Sequence, residues 1–250
     1  MAWNWHRPLE AKGLTFSVLT FLAVLVGGLV LLIPPYFLQG TIEPIEGVRP
    51  YTALEQEGRD VYVREGCVNC HSQMIRPFKT ETDRYGPYSL AGEGVYDRPF
   101  LYGSRRTGPD LARVGGKYPD SWHWLHLRDP REIEPRSHMP AYEFLTEQPL
   151  DLSLAPRKLR VLRSLGHPYS DEEIAGAVAD AEAQAARIAE SLRRDGVALG
   201  EGQARSQAIA LIAYLQRLGS DLGWRQAAPA PAAPAAAVAQ APAGGQEGTR

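Results

Sequence analysis

The stretch CVNCH, residues 67–71, has the C-x-x-C-H spacing with which proteins attach haem covalently. Two thiols at this spacing reach the two vinyl groups on one edge of the porphyrin, and the histidine that follows them then lies under the iron. One helical turn with an adjacent ligand satisfies both conditions. We therefore predict one covalent haem c, held by Cys67 and Cys70, with His71 as an axial ligand of the iron.

Two other chemistries use a pair of cysteines at this spacing: a thioredoxin-like dithiol and half of a zinc site. Zinc would need two more ligands, and the chain has only two cysteines, Cys67 and Cys70. A dithiol oxidoreductase has no need for the adjacent histidine. The motif thus favours haem, and a dithiol oxidoreductase stays as a rival class that a haem spectrum of the protein would exclude.

An iron that His71 ligates on one face needs a second ligand on the other face. The candidates in the sequence are Met74, Met139, His123, His126, His138 and His167. Met139 is the predicted ligand because it stands in a Pro-bounded loop, SHMPAY at residues 137–142, far along the chain. The alternatives are a core-filling role for Met139 or ligation by His138. Two axial ligands leave the iron no open site, which predicts electron transfer rather than chemistry at the haem.

Three further groups of residues are candidates for contacts around the haem. The loop TGPDL, residues 107–111, resembles the Gly-Pro-x-Leu loop of class I cytochromes c, in which the proline carbonyl accepts the ring N–H of the proximal histidine. That resemblance would make Pro109 the partner of His71. His123 and His126 are three residues apart, and burial or an interface explains them more simply than metal binding. Arg76, Arg105 and Arg106 could neutralise the haem propionates, or they could equally be solvated surface residues.

Residues 14–33 form an uncharged run, LTFSVLTFLAVLVGGLVLLI. A helix of this length spans about 30 Å, which is the thickness of a hydrocarbon core. The run is longer than the apolar region of a signal peptide and no small-x-small cleavage pattern follows it, so it indicates an uncleaved membrane anchor. We expect Pro34 and Pro35 to end the helix because a prolyl ring cannot continue the hydrogen-bond ladder.

The charges that flank this run predict its orientation. Arg7 and Lys12 precede it, whereas Glu43 and Glu46 follow it before the first basic residue, Arg49. The positive-inside rule then places the N terminus in the cytoplasm and the rest of the chain across the membrane. The net charge of −2 provides no basic field, so nucleic acid is not an expected partner.

Composition and periodicity divide the chain into five parts. They are a cytoplasmic N terminus (1–13), the transmembrane anchor (14–33), a linker (34–50), a cytochrome c domain (51–222) and an Ala/Pro-rich tail (223–250). The tail has almost no large apolar residues, so we expect it to be disordered. The cytochrome c domain shows no convincing strand, and residues 72–120 are interpreted as long ordered loops rich in Gly, Pro, Tyr and Arg.

Three helices are predicted in the cytochrome c domain. The first covers residues 54–65, and the last covers about 203–218. Between them, the capping box SDEE at residues 170–173 opens a helix over 171–194. Its predicted buried face consists of Ile174, Val178, Ala181, Ala185, Ile188 and Leu192.

Two long segments carry a family resemblance. Residues 50–78, PYTALEQEGRDVYVREGCVNCHSQMIRPF, closely resemble the monohaem subunit II of cbb3-type cytochrome c oxidases. Residues 84–142, which contain GSRRTGPDLARVGG, resemble the same subunit, as do LRSLGHPYSDEEIAGA (162–177) and IAYLQRLG (212–219). The resemblance covers roughly residues 10–220. The length of the connection around 171–200 and the Ala/Pro tail depart from the family pattern.

The resemblance implies a mainly α fold: a single transmembrane helix plus a class I cytochrome c-like periplasmic domain with long loop insertions. It implies a single-pass protein of the bacterial inner membrane that serves as a non-catalytic subunit of a terminal oxidase. Electrons would come from a dihaem c subunit or a soluble donor cytochrome c and pass to the catalytic haem b/copper subunit, which reduces oxygen to water and pumps protons. A free-standing, membrane-anchored monohaem shuttle is the alternative.

The sequence also predicts where the chain meets its partner subunit. Gly27 and Gly28 lie in mid-membrane, where small residues let a second helix approach closely, although glycine is also common in membrane helices in general. The aromatic residues of segment 72–120 are of the types enriched in interfaces, and we expect that segment to dock onto the catalytic subunit. These aromatic residues are Tyr85, Tyr88, Tyr96, Phe100 and Tyr102.

Overall fold

A computed structural model describes residues 6–37 and 42–222 of the chain. Within these ranges the protein is mainly helical, and the only β-type pairing is one isolated bridge between Pro149 and Ser206. The predicted helical class is therefore confirmed. The predicted disordered tail, 223–250, lies outside the described residues.

Nine α-helices occur in the described ranges. They are α1 (Arg7–Glu10), α2 (Gly13–Phe37), α3 (Ala53–Arg64), α4 (Lys79–Tyr85), α5 (Asp120–Arg128), α6 (Phe144–Glu147), α7 (Ala155–Ser164), α8 (Asp171–Arg194) and α9 (Gln207–Arg217). Short 3-10 turns accompany them at Cys67–Asn69, Ala91–Gly94, Pro130–Glu132, Gln203–Arg205 and Ser220–Leu222.

Helix α2 carries the predicted membrane span. Its segment Gly13–Pro34 is long and apolar enough to cross a membrane, and none of it is buried within the protein. The prediction that Pro34 and Pro35 end this helix is wrong, because the helix continues to Phe37. Each proline removes its own N–H from the ladder, and the helix ends two residues after the second of them.

The chain divides into two compact units. One holds Met1–Ile45 and Leu90–Phe100, and the other holds Glu46–Ser89 and the residues from Leu101 onward. In the first unit, Gly92 lies so close to the linker backbone that a Cβ there would stand 2.4 Å from the carbonyl oxygen of Glu43. The predicted linker, 34–50, is thus shared between the units, and segment Leu90–Phe100 belongs with its first part.

The second unit is built on the crossing of α3 and α9. Thr52 and Glu55 form a capping box at the start of α3, each side chain bonding the other residue's backbone N–H. At the crossing, a Cβ on Gly58 would stand 1.9 Å from the carbonyl oxygen of Ala210, so the two backbones touch. Tyr62 and Tyr214 extend the contact with ring centroids 5.3 Å apart.

Helix α8 packs against α3, α7 and α9. Its capping box at Ser170 and Glu173 and its range are as predicted. The buried face of α8 is rotated slightly about the helix axis from the predicted one, since Val178 and Ile188 are only partly buried. The face that is buried consists of Ile174, Ala177, Ala181, Ala185, Ala189 and Leu192. Its four alanines let neighbouring helices approach closely, so the larger β-branched residues stand at the edges of the contact.

The other helical predictions are partly correct. Helix α3 begins and ends within one residue of the prediction, and α9 is shorter than predicted because a 3-10 turn, Gln203–Arg205, precedes it. The loops predicted over 72–120 contain a short helix, α4. Helix α7 was not predicted, although its amphipathic pattern and the proline in its first turn, Pro156, are both signals of a helix.

The α3–α9 contact predicts that Gly58→Ala destabilises the second unit. The added methyl would meet the Ala210 backbone, which cannot move as a flexible side chain does, and overpacking costs about 1–3 kcal/mol or more. Thermal unfolding of the detergent-purified protein would measure the loss. In the matched control Gly176→Ala, on α8, the methyl meets only the flexible Asp180 carboxylate, so this variant should be at least as stable as the wild type. Equal stability of the two variants would contradict the close crossing.

Candidate haem site

The CVNCH motif follows directly after α3. Gly66 has a φ of +73°, which turns the chain out of the helix, and Cys67–Asn69 then form a 3-10 turn. The backbone N–H of His71 donates to the carbonyl of Cys67 at 3.0 Å, which closes the turn. Cys67 is half-buried and Cys70 is exposed, and no disulfide joins them.

The His71 ring is held from behind by the loop at residues 107–111. Its Nδ1 lies 2.8 Å from the carbonyl oxygen of Pro109, so an Nδ1–H donor leaves Nε2 available as a ligand. The backbone N–H of Gly108 donates to the carbonyl of Cys70 at 3.0 Å. A Cβ on Gly108 would stand 2.2 Å from Cε1 of His71, so only glycine lets the loop approach the ring this closely.

Arg106 fixes the segment that follows the motif. Its guanidinium donates to the Ser72 hydroxyl and to the Met74 carbonyl, each at 2.7 Å. Asp110 accepts from the same Ser72 hydroxyl at 2.6 Å and from the Met74 N–H at 3.0 Å. Arg106 also pairs with Glu81 at 2.8 Å. These bonds tie residues 72–74 to the loop that carries Pro109.

The three arginines considered for the propionates lie around a different cavity. Arg76, Arg105 and Arg106 line a polar hollow together with Met74. Arg106 is committed to the bonds just described, and Arg76 pairs with Glu81. Their geometry therefore supports a structural role for Arg106 and gives no support to contacts between these arginines and the propionates.

A separate cavity of about 260 Å³ adjoins His71. Cys67, His71, Pro109 and Met139 all line it, although they come from three distant parts of the sequence. The rest of its wall includes Tyr62 from α3, Trp122, His123, His126 and Leu127 from α5, and Leu211 and Leu215 from α9. The cavity thus combines a thiol, an imidazole and a thioether with apolar and aromatic side chains.

Only some of the six candidates for the sixth ligand line the cavity beside His71. Met139 is half-buried and lines the cavity, whereas His138 is exposed and does not. Met74 lines the other cavity, and His167 is buried against the ring of Tyr169. His123 and His126 do line the cavity, so the structure leaves three candidates in place of six.

His123 and His126 are buried, but each has a ring nitrogen without a hydrogen-bond partner among the described residues. His123 is only 3% exposed, and its buried Nε2 has no hydrogen-bond partner among the described residues. Nδ1 of His126 is likewise buried without a partner there. Burial lowers the pKa of each ring to about 4, so both are neutral at pH 7. Two neutral imidazoles with unused nitrogens in the cavity wall fit a polar group within it.

The two rival chemistries fit the site less well. Burial raises the pKa of the Cys67 thiol to about 11, whereas a dithiol oxidoreductase needs a thiolate near neutral pH. No group of three or more His, Cys, Asp or Glu side chains suited to a metal ion occurs among the described residues. The donors present instead suit haem, which needs two thiols, one histidine and a largely apolar pocket.

Several residues of the cavity wall were not predicted from the sequence. Tyr62 is almost fully buried, and burial raises the pKa of its hydroxyl. Arg113 and Lys117, a few residues after the Gly-Pro-x-Leu loop, bring positive charge to the wall. Tyr62 could have been predicted because it stands four residues after Gly58, on the same face of the helix. Arg113 and Lys117 could have been predicted because they follow Pro109 closely in the sequence.

Glu81 should make the stability of this region depend on pH. Hydrogen bonds from Arg106 and then from Arg76 lower its pKa from 4.5 to about 2. A pKa depressed by folding means that ionised Glu81 stabilises the fold above about pH 4.5, and that this stabilisation is lost as the pH falls toward 2. In urea unfolding, Glu81→Gln should therefore be less stable than the wild type at pH 7, and the difference should shrink below pH 4.5.

The matched control is Glu201→Gln, which removes an exposed carboxylate. It should stay close to the wild type throughout the titration. A wild-type advantage over Glu81→Gln that is independent of pH would contradict the role of the ionised carboxylate.

Comparison with known proteins agrees with this geometry. The profile of the family described as "Cytochrome C oxidase, mono-heme subunit/FixO" matches residues 6–222. No curated protein matches the chain. The matched range contains α2, the CVNCH motif and the whole described cavity wall, so it covers both the anchor and the site. The chain belongs to the FixO family of monohaem subunits of cytochrome c oxidase, the subunit II of the cbb3-type enzymes.

Proposed function

We propose that this chain carries electrons from c-type cytochromes to the catalytic haem b/copper subunit of a cbb3-type oxidase, through one covalently attached haem c. Family membership gives the coarser statement, a monohaem oxidase subunit in electron transfer. The observation that carries the finer proposal is the single cavity that Cys67, His71 and Met139 line together. In this proposal the chain is a non-catalytic subunit, and oxygen reduction with proton pumping takes place in its partner.

Each site residue has a distinct task. Cys67 and Cys70 would hold the haem through thioether bonds, and His71 would ligate its iron through Nε2. Pro109 accepts the Nδ1–H of His71, which fixes the orientation of the ring and raises its basicity. Met139 would be the sixth ligand. The chemistry that a bound haem supplies is one-electron transfer between ferric and ferrous iron.

The apolar wall limits what can happen at this site. Leu127, Leu211 and Leu215 line the cavity and offer no polar group to a reacting oxygen. His71 and Met139 would together hold the iron of a bound haem, and oxygen would then have no position at which to coordinate it. The side chains of this chain therefore favour electron transfer and disfavour oxygen chemistry.

Exposed aromatic residues support a docking surface close to the haem motif. Tyr102 and Phe78 are 39% and 56% exposed, and Tyr88 is 49% exposed. The backbone N–H of Gln73 donates to the Tyr102 carbonyl at 3.0 Å, and that of Ser89, next to Tyr88, donates to the Ile75 carbonyl at 2.9 Å, so Tyr88 and Tyr102 lie beside the segment that follows His71. We propose that this surface meets the catalytic subunit.

Tyr85 does not belong to that surface. It was expected to face a partner, but it is only partly exposed and lines the cavity beside His71. The Arg106 guanidinium lies over its ring at 5.4 Å from the centroid, which holds the ring against the Arg106 network. Tyr85 therefore contributes to the wall of the site.

In the proposed topology, the N terminus lies in the cytoplasm and the haem domain in the periplasm of a bacterial inner membrane. The exposed apolar surface of α2 supports an anchor, and the flanking charges support this orientation. No other part of the described chain comes within 4 Å of the point where a Cβ on Gly27 or Gly28 would stand, so their face of α2 is open to a partner helix.

Met139→Leu should remove the sixth ligand. We expect the oxidised protein to lose its sulfur-to-iron band and its reduction potential to fall, because a thioether favours the ferrous state. Optical spectroscopy and redox titration would measure both changes. Met74→Leu is the matched control, since Met74 lines the other cavity and its variant should keep the wild-type spectrum. An unchanged spectrum in Met139→Leu would assign the ligand to another residue.

The orientation can be tested with reporter fusions. A reporter that is active only in the periplasm should work when it is fused after residue 222 and fail when it is fused before Leu14. A cytoplasmic reporter should show the opposite pattern, which serves as the control for expression. If activity follows the reverse pattern, the haem domain lies in the cytoplasm and the proposed attachment fails with it.

Electron entry can be tested in membranes that lack the chain. We expect such membranes to lose oxidation of reduced cytochrome c and to regain it with the wild-type chain. The double variant Cys67→Ala, Cys70→Ala should restore nothing and should give no haem peroxidase stain on a denaturing gel. Undiminished oxidase activity without the chain would instead favour the free-standing shuttle.

A further inference from the structure

Helix α5 presents two histidines to the haem cavity from adjacent turns. His123 and His126 both line it, three residues apart on one face of the helix. The His126 ring stacks on Trp122 with centroids 4.6 Å apart and planes inclined by 14°. The His123 ring meets Trp122 edge-on at 5.3 Å. Aromatic contacts thus fix both rings in place.

Both rings have a nitrogen with nothing to bond within the part of the chain that the structure describes. Nε2 of His123 and Nδ1 of His126 are buried and lack a hydrogen-bond partner there, and His123 is only 3% exposed. Native proteins rarely leave buried polar atoms unsatisfied, so these nitrogens indicate a polar group that enters the cavity. Two such atoms on one helix face indicate a ligand with more than one polar group.

Other polar side chains of the cavity wall already have partners within the protein. His71 bonds the Pro109 carbonyl, and Asp110 bonds Ser72 and the Met74 backbone. Arg113 donates to the Ala112 and Tyr88 carbonyls. Among the imidazoles that line the cavity, only the two on α5 keep a buried ring nitrogen without a partner in the described residues.

Positive charge lies at the same wall. Lys117 lines the cavity, and its ammonium group stands over the Tyr118 ring at 5.3 Å from the centroid. The Tyr118 ring stacks on Trp122 at 4.0 Å, and Trp122 stacks on His126. A cation and two imidazole N–H donors in the wall of one cavity suit an anionic acceptor, such as a carboxylate, better than an apolar edge.

We infer that His123, through Nε2, and His126, through Nδ1, donate hydrogen bonds to the propionate carboxylates of the haem. This inference rests on the proposed function, because it requires haem in the cavity. It assigns the propionate contacts to α5 and removes them from Arg76, Arg105 and Arg106. Both histidines are then positioning residues: they stabilise buried carboxylate charge near the iron and thereby influence the reduction potential.

The experiment compares donor-deleting and donor-retaining variants of the full, haem-loaded protein. His123→Phe and His126→Phe keep a ring but remove the N–H. His123→Gln places an amide N–H near the position of Nε2, and His126→Asn places one near Nδ1. The readouts are the propionate bending bands in the resonance Raman spectrum and the midpoint potential. His167→Phe removes a buried histidine that does not line the cavity, and it serves as the control for general destabilisation.

We expect the two phenylalanine variants to shift a propionate band and the midpoint potential. The glutamine and asparagine variants should recover most of both wild-type values, and His167→Phe should leave both unchanged. A purely structural role for the histidines would affect stability but would not produce this pattern of rescue.

Two results would overturn the inference. One is haem-loaded phenylalanine variants with wild-type propionate bands and potential. The other is loss of an axial ligand in His123→Phe or His126→Phe while Met139→Leu keeps the wild-type spectrum, which would make a histidine the iron ligand. Absence of covalent haem in the wild-type protein is a different result, since it would refute the proposed function itself.

Discussion

The close crossing of α3 and α9 is the contact on which the haem domain depends. At Gly58 the two backbones meet without an intervening side chain, so the end of α3 and the middle of α9 are fixed relative to each other. The CVNCH motif begins three residues after α3 ends, and α9 contributes Leu211 and Leu215 to the cavity wall. The Gln73 amide also bonds the Tyr214 hydroxyl of α9 at 2.9 Å. The crossing therefore positions both the attachment motif and the wall opposite it.

A second constraint brings the loop with Pro109 to His71. Thirty-eight residues separate Ser72 from Asp110, yet their side chains bond at 2.6 Å, and Arg106 links both to Glu81. Buried charges such as these are stable only when they are paired and fully hydrogen-bonded, which makes the arrangement specific. The network holds the carbonyl of Pro109 within hydrogen-bond distance of a ring that must keep one orientation to ligate iron.

Buried ion pairs also hold Arg49, which lies at the start of the second unit. The Glu55 carboxylate, 3% exposed, pairs with Arg49 at 3.0 Å and with Arg217 at 3.5 Å. Arg217 also pairs with Asp221, and its guanidinium donates to the Arg49 carbonyl at 2.6 Å. Arg49, next to the end of the predicted linker, is thus bound to the last residue of α9.

The amino-acid sequence determined the features that depend on neighbouring residues. The spacing of Cys67, Cys70 and His71, the uncharged run at 14–33 and the capping box of α8 are local, because their chemistry is complete within one or two turns. Only the tertiary structure decided which surfaces face the haem cavity. The sequence did not indicate that α5 turns two unsatisfied histidines toward it, that Tyr85 lines it, or that Arg106 is committed elsewhere. The rotation of the α8 face and the extension of α2 past its prolines were likewise decided by the fold. The physical reason is that periodicity gives the spacing of residues on a helix, whereas the direction each face takes depends on packing between segments far apart in the chain.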